Sequence, residues 1–223
     1  MYLGINLAIE PHSIALVSSN QTLSEITEAN SHDFSENLIH RIEELILKAN
    51  TNYEDINGIG ITTGPGNYTS LRIGTTLAKT LGQTLQKPIY PISSLKAIAH
   101  ENTLANGIYF SILSARKTDY NCAMFSYNNK KLSQLTPDFI WEEPTITNKL
   151  LKIKEPVYLC GAGFEALIPK LNKNKNILIS TKKISGTSIA QIAIDMAQNK
   201  ENHPLHTINP KYSHQPNIYP NHK

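Results

Sequence analysis

Two hydrophobic periods alternate along the chain. Tyr2 to Ile9 is an apolar, strand-like run, Glu10-Pro11-His12 turns the backbone, and Ser13 to Ser18 follows as a second run. Asn20-Gln21 marks another turn before Leu23 to Glu28, so the pattern predicts an antiparallel meander of three strands. The period then becomes helical. Leu38, Ile42, Leu45 and Ile46 recur one turn apart, with Ser35 as the expected N-cap. Ile56 to Thr63 reads as the next strand, and Leu71, Gly74, Ala78, Leu81 and Leu85 mark one face of a second helix. Lys87-Pro88 ends that helix, Ile89 to Ile92 is a short buried strand, and Ser93 or Ser94 caps a helix over Leu95 to Glu101.

The second half repeats this order. Ile108 to Leu113, Tyr120 to Tyr127 and Lys130 to Leu135 read as strands, the last two joined by an Asn128-Asn129 turn. A helix is predicted over Thr147 to Ile153, a strand over Val157 to Cys160, and a helix over Phe164 to Leu171. Then come a strand at Ile177 to Ser180 and a helix at Ser188 to Gln198, capped by Thr187 or Ser188. Pro204, Pro210, Pro216 and Pro220 forbid a long helix beyond and predict an extended tail. Two βββαβαβα lobes with mixed sheets follow, residues 1–103 and 104–200, with a tail at 201–223. That order resembles the duplicated α/β plan of the actin-like ATPase (ASKHA) fold, in which a nucleotide is held between the lobes.

Composition changes this picture little. The 223 residues are 40% hydrophobic and 17% charged, ordinary for a chain with a buried core. A net charge of +3 permits a nucleic-acid partner without requiring one. No apolar run approaches the ~20 residues needed to span a bilayer. Asn6, Glu10 and Pro11 interrupt the first apolar run, so no signal peptide is expected. Cys122 and Cys160 lack CxxC spacing and suit two reduced thiols in a cytoplasmic protein.

The candidate chemistry sits at Gly64-Pro65-Gly66-Asn67-Tyr68-Thr69-Ser70-Leu71-Arg72-Ile73-Gly74, a glycine-rich corner between a strand and a helix. Such a corner can cradle a phosphate on free backbone N–H groups and the helix dipole. It can equally be a tight turn capped by Thr69 or Ser70 that lets helices or subunits approach closely. It is no P-loop, since no lysine follows the last glycine, and Thr69 stands where a dinucleotide fingerprint has its third glycine. Actin-like enzymes hold phosphate and metal at the first hairpin. Here that hairpin carries Asn6 in place of an acid and Leu7 in place of a polar contact, and neutral Asn6 brings no charge to a magnesium ion. Gly161-Ala162-Gly163 follows a strand as the adenosine-side glycines of that fold do, or simply turns the chain. Asn6, Gly161 and Gly163 are therefore the candidate vestigial nucleotide site, with Asp119 a surface-loop aspartate or a second-lobe acid.

Elsewhere the residues carry less. His203-x-x-His206 lies around Pro204, His32 and His40 fall on different faces of a helix, and Lys96 stands four residues before His100 where a His-x-x-x-His pair would need histidine. No metal site and no G-x-S-x-G elbow is expected. Lys170, Lys173, Lys175, Lys182 and Lys183 form a basic stretch, read as a solvated face or an RNA contact.

The corner resembles the G-P-G-S-[FY]-T-G-L-R-[IV]-G signature of the bacterial TsaB (YeaZ) family. Phe34-Ser35-Glu36-Asn37-Leu38 is similar to that family's H-S-E-x-L, and Ala78-Lys79, Pro88 and Ser93-Ser94-Leu95 match its A-K, I-P and S-S-L. Ser114-Ala115-Arg116-Lys117 and Tyr120 resemble its D-A-R-[RK] and following tyrosine, and Pro210-Lys211-Tyr212 its C-terminal P-x-Y. Phe34, Ser70 and Ser114 depart from a histidine, a glycine and an aspartate, and Asn6-Leu7 from an aspartate and a threonine.

The resemblance implies a non-catalytic subunit, without cofactor, that supports a TsaD-like catalytic subunit. With a TsaE-like ATPase the pair would add threonylcarbamoyl to N6 of the adenosine beside the tRNA anticodon (t6A), this chain touching tRNA only indirectly. It also implies a homodimer when the TsaD-like subunit is absent, and no membrane. Ser35, Leu38, Ile42, Leu45, Leu71, Arg72, Gly74, Thr75 and Ala78 are then the expected partner-facing residues. An active actin-like ATPase or small-molecule kinase is the alternative, and a metal-dependent transferase or peptidase a third reading.

Overall fold

The computed structural model describes residues 1–19, 21–29, 31–116 and 118–213, the side chains of Ser31 and His32 aside. Asn20, Lys117, Pro216 and Pro220, which figure above, lie outside the described residues. The first half builds β1 (Tyr2–Asn6), β2 (His12–Ser18), β3 (Gln21–Glu28), α1 (Ser31–Glu36), α2 (Leu38–Lys48), β4 (Gly58–Gly64), α3 (Tyr68–Leu85), β5 (Ile89–Ser93) and α4 (Ser94–Glu101). The second builds β6 (Gly107–Ser114), β7 (Asp119–Asn128), β8 (Lys131–Gln134), β9 (Phe139–Glu142), α5 (Glu143–Leu150), β10 (Val157–Ala162), α6 (Ile168–Leu171), β11 (Ile177–Ser180) and α7 (Gly186–Gln198).

The strands form two mixed sheets, ordered β3-β2-β1-β4-β5 and β11-β10-β6-β7-β8. Each joins an antiparallel hairpin to parallel strands: β1 pairs β2 antiparallel and β4 parallel, and β6 pairs β7 antiparallel and β10 parallel. This is the duplicated, mixed-sheet α/β plan that the pattern predicts. The pattern does not announce β9. It pairs with Asp119 to Cys122 of β7, while β8 pairs with Phe125 to Asn128, so the two short strands share one long neighbour.

The layers follow from strand alternation. Leu3 and Ile5 point into a core with Leu38, Ile42, Leu45 and Ala78, so α2 and α3 cover one face of the first sheet. The other face carries α7, which packs on β1, β2 and β4, whereas α4 packs on β6, β7 and β10. Each sheet thus receives a helix from the opposite half of the chain, and α4 touches α7 between the sheets. Phe110, Ile112 and Cys122 face the far side of the second sheet, under Ile146, Leu150 and Leu167. Each such buried Leu, Ile or Phe contributes about 1.5–3 kcal/mol.

Close seating of α7 depends on glycine. Gly4 and Gly60 are register partners on β1 and β4 and form a flat floor beneath the helix. A Cβ on Gly4 would lie 2.1 Å from the carbonyl oxygen of Gly186, and one on Gly60 would lie 2.8 Å from that of Ile189.

Three caps differ from expectation. Ser35 lies inside α1 and is buried, with Oγ 3.5 Å from His12 Nδ1; α2 starts after Asn37, which makes no side-chain cap bond. The helix at the corner starts earlier than Leu71, and Asn67 caps it by accepting from the Ser70 N–H at 3.0 Å. Ser185, not Thr187 or Ser188, caps α7 by accepting from the Ser188 N–H at 3.0 Å. The run Phe164 to Leu171 is also no single helix: a 3-10 turn at Glu165–Leu167 precedes α6, because Pro169 lacks an N–H and fits only a first turn.

Candidate functional site at the glycine-rich corner

The corner leaves β4 at Gly64, whose φ of +116° favours glycine, and a Cβ there would lie 2.2 Å from the Lys211 carbonyl oxygen. A Cβ on Gly66 would lie 2.3 Å from the Ala8 carbonyl oxygen. Both glycines therefore admit neighbouring backbone. The Asn67 N–H donates to the Ala8 carbonyl at 2.9 Å, and the Lys211 N–H donates to the Thr63 carbonyl at 2.7 Å. The first hairpin grips the loop on one side and the tail grips it on the other. Two of the N–H groups a phosphate cradle could use, those of Asn67 and Ser70, thus already have protein acceptors. Pro65 is buried, whereas Tyr68 and Thr69 are exposed. The Tyr68 ring lies 4.5 Å from that of Tyr212, and the Arg72 guanidinium 5.5 Å from the Tyr68 ring.

Beside the corner lies a cleft of about 370 Å³ between the first hairpin, the corner, the β6–β7 hairpin and the tail. Ala8, Ile9, Asn67, Tyr68, Ser114, Asn121 and Tyr212 line it, and among the described lining residues Arg116 is the one charged side chain. A divalent cation is held by oxygen ligands with carboxylate charge. No carboxylate is on these walls among the described residues.

Asn6 lies beneath, fully buried, and works as a clamp. Its Nδ2 donates to the carbonyls of Ile9 at 3.0 Å and Pro11 at 3.2 Å, which closes the hairpin. It also reaches the Ile184 carbonyl at 3.4 Å, tying the hairpin to the segment before α7. Gly161 and Gly163 lie behind the β6 wall: a Cβ on Gly161 would lie 1.7 Å from the Ile112 carbonyl oxygen, and one on Gly163 2.6 Å from Ser114 Cβ. They let β10 and its turn pass close to β6.

The expected partner-facing residues divide sharply. Leu38, Ile42, Leu45, Leu71, Thr75 and Ala78 are buried in the chain's own core, and a Cβ on Gly74 would lie 3.0 Å from Leu7 Cδ1 and 3.2 Å from Ile61 Cδ1. The small residues of α3 seat that helix on its own sheet, not on a partner, and the buried Ser35 belongs with them. Arg72 alone of that set is exposed. Sequence periodicity missed Ile39 and Leu47 of α2, which are 58% and 77% exposed. Their signal was present: both are apolar yet lie off the stripe of Leu38, Ile42 and Leu45.

Other reactive groups are structural. His100 Nδ1 lies 2.6 Å from Ser188 Oγ between α4 and α7, and burial lowers its pKa, favouring the neutral ring. Both cysteines are free and buried; burial raises the Cys122 thiol pKa and pushes that of Cys160 up to about 12. Among the described residues no three His, Cys, Asp or Glu side chains are grouped to hold a metal ion. No helix among them is long and apolar enough to cross a membrane.

A family model described as "TsaD: tRNA N6-adenosine threonylcarbamoyltransferase" matches residues 17–213. A Bacillus subtilis protein named tRNA threonylcarbamoyladenosine biosynthesis protein TsaB is 31% identical, over 56% of this chain and 55% of its own length. A Riemerella anatipestifer tRNA N6-adenosine threonylcarbamoyltransferase is 33% identical over 44% of this chain and 33% of its own length. The chain thus spans about half or less of these relatives. The solved structure of YeaZ from Pseudomonas aeruginosa superposes with a TM-score of 0.80 at 15% identity, covering 95% of this chain and 98% of that one, which shows a shared fold.

Proposed function

Since the chain belongs to the TsaD family and, within it, to the TsaB (YeaZ) proteins, we propose that it takes part in t6A formation on tRNA as a non-catalytic partner of a TsaD-like subunit. One observation carries the non-catalytic part. At the hairpin where an actin-like enzyme would present an acid to a metal, Asn6 is buried and its amide is bonded to the Ile9, Pro11 and Ile184 carbonyls. Two of the corner's donors, the Asn67 and Ser70 N–H groups, are likewise engaged, and the described cleft walls offer no carboxylate. What remains of the corner is a rigid mount for the start of α3.

In this reading the partner meets the outer surface of α2 and α3, where Ile39, Leu47 and Arg72 are exposed. The same surface serves a homodimer when the TsaD-like subunit is absent. A TsaE-like ATPase completes the assembly. The test mixes the chain with the TsaD-like protein of the same organism, measures complex mass, and assays tRNA modification with and without the chain. A complex, and modification that depends on it, is the expected result. No complex together with chain-independent modification overturns the reading. Metal-dependent ATP hydrolysis by the chain alone, lost on Asn6 substitution, would instead establish the ATPase alternative.

A further inference from the structure

A second surface, on the far sheet, carries charge that the partner role does not use. Residues 149–175 hold six lysines and two glutamates, a net charge of +4, while the whole chain nets +3, so the remainder nets −1. The charge is local. β10 and β11 pair in parallel, which brings the segment before β10 beside the segment before β11. Lys152, Lys154 and Lys173 thereby line one depression with no carboxylate among its described lining residues, and exposed Lys175 adjoins it in sequence.

The two segments are stapled together. Asn174 Nδ2 donates to the carbonyls of Leu150 at 3.0 Å and Ile153 at 2.9 Å, and Asn176 Nδ2 donates to that of Lys154 at 3.0 Å. Neighbouring lysines have partners: Lys170 pairs with Glu143, and Lys149 lies 4.7 Å from the Trp141 ring. Among the described residues none of Lys152, Lys154, Lys173 and Lys175 has an ion-pair partner. Like charges held on a braced, concave surface repel one another, and a polyanion relieves that repulsion.

We propose that this depression docks the phosphate backbone of RNA, so that the chain touches its tRNA directly through Lys152, Lys154, Lys173 and Lys175. The choice of tRNA as the polyanion rests on the function proposed above; the surface itself does not. Lysine ammonium groups contact phosphates as point charges without reading bases, so the contact supplies affinity and orientation and no sequence preference. An anionic membrane fits less well, because Leu151 and Ile153 are the sole apolar side chains among the described walls, and the flanking α5 and α6 turn Ile146, Leu150 and Leu171 into the chain's own core.

The experiment titrates the full chain against unmodified tRNA transcript by fluorescence anisotropy over a salt series, with phosphatidylserine-containing vesicles in a parallel arm. K152Q/K154Q/K173Q is expected to weaken tRNA binding about tenfold or more and to flatten the logarithmic salt slope by about 2–3. K182Q/K183Q, beyond the opposite end of β11, is expected to change it less than about twofold. K152R/K154R/K173R keeps the charge and should bind like the parent, separating lost contact from lost fold. No tRNA binding by the parent at low salt, equal loss in both glutamine variants, failure of the arginine variant to bind, or equally tight vesicle binding with the same lysine dependence would each overturn the proposal. The readout is independent of complex formation with the TsaD-like subunit, so either proposal can fail while the other stands.

Discussion

The first hairpin and the paired loops before β10 and β11 use the same device toward opposite ends. In each, an asparagine amide clamps backbone carbonyls: Asn6 holds Ile9, Pro11 and Ile184, and Asn174 holds Leu150 and Ile153. Asn6 is fully buried, and its clamp removes polar groups from the place where an actin-like enzyme would do chemistry. Asn174 is half-buried, and its clamp leaves lysines displayed around it. A motif-rich region can therefore be scaffold, and a region without a motif can be the surface that meets a partner.

The comparison breaks most visibly at Asn6. Asn6→Asp replaces a donor with an anion facing carbonyl oxygens in a fully buried site. Leaving a charge there without a partner costs about 3–5 kcal/mol, so the variant should unfold at markedly lower urea. Asn6→Ala leaves the carbonyls unsatisfied without adding charge, at about 2–3 kcal/mol. Equal stability of Asn6→Asp and the parent, measured by urea unfolding, would mean that a cation or open solvent reaches the hairpin and that the clamp reading is wrong.

Why the sequence shows one region more clearly than the other has a physical basis. Element order was legible because each layer buries one face, and burial imposes period 2 on strands and 3.6 on helices. Phe139-Ile140-Trp141-Glu142 escaped that logic because the strand is four residues long and its pairing with β7 is non-local. The caps Asn67 and Ser185 were displaced by neighbouring hydroxyl residues, since Thr69, Ser70, Thr187 and Ser188 all carry acceptable capping side chains. The direction of the α3 face was invisible. A stripe of Gly74, Ala78 and Gly82 fits a partner helix or the chain's own sheet equally well, and only the position of Leu7, Ile61 and Ile89 decides. The lysine surface could not be read as one patch, because Lys154 and Lys173 are separated by all of β10 and α6 and meet only through sheet pairing.

A smaller effect sharpens the account of α3. Gly74→Leu should destabilise the chain by about 1–3 kcal/mol through overpacking against Leu7 and Ile61. That loss should be independent of protein concentration when unfolding is followed from micromolar to tens of micromolar protein. Unchanged stability at the lowest concentration, with loss only of association, would place Gly74 on a partner surface after all.

The smallest effects test whether the second region is scaffold or surface. Asn174 sits in a half-exposed loop where water replaces lost bonds, so Asn174→Ala should cost about 1 kcal/mol. Lys152, Lys154 and Lys173 are exposed and make no ion pair among the described residues, so exchanging each for glutamine should shift stability by no more than about 0.5 kcal/mol. Relief of mutual repulsion should give a slight gain at low salt that disappears as screening rises. That asymmetry distinguishes the two regions. At the hairpin a polar substitution should be felt in folding, whereas at the lysine depression the fold should be indifferent. A large stability loss on removing the lysines, measured by urea unfolding at low and high salt, would show that they brace the loops as Asn6 braces the hairpin, and the contrast between the two regions would collapse.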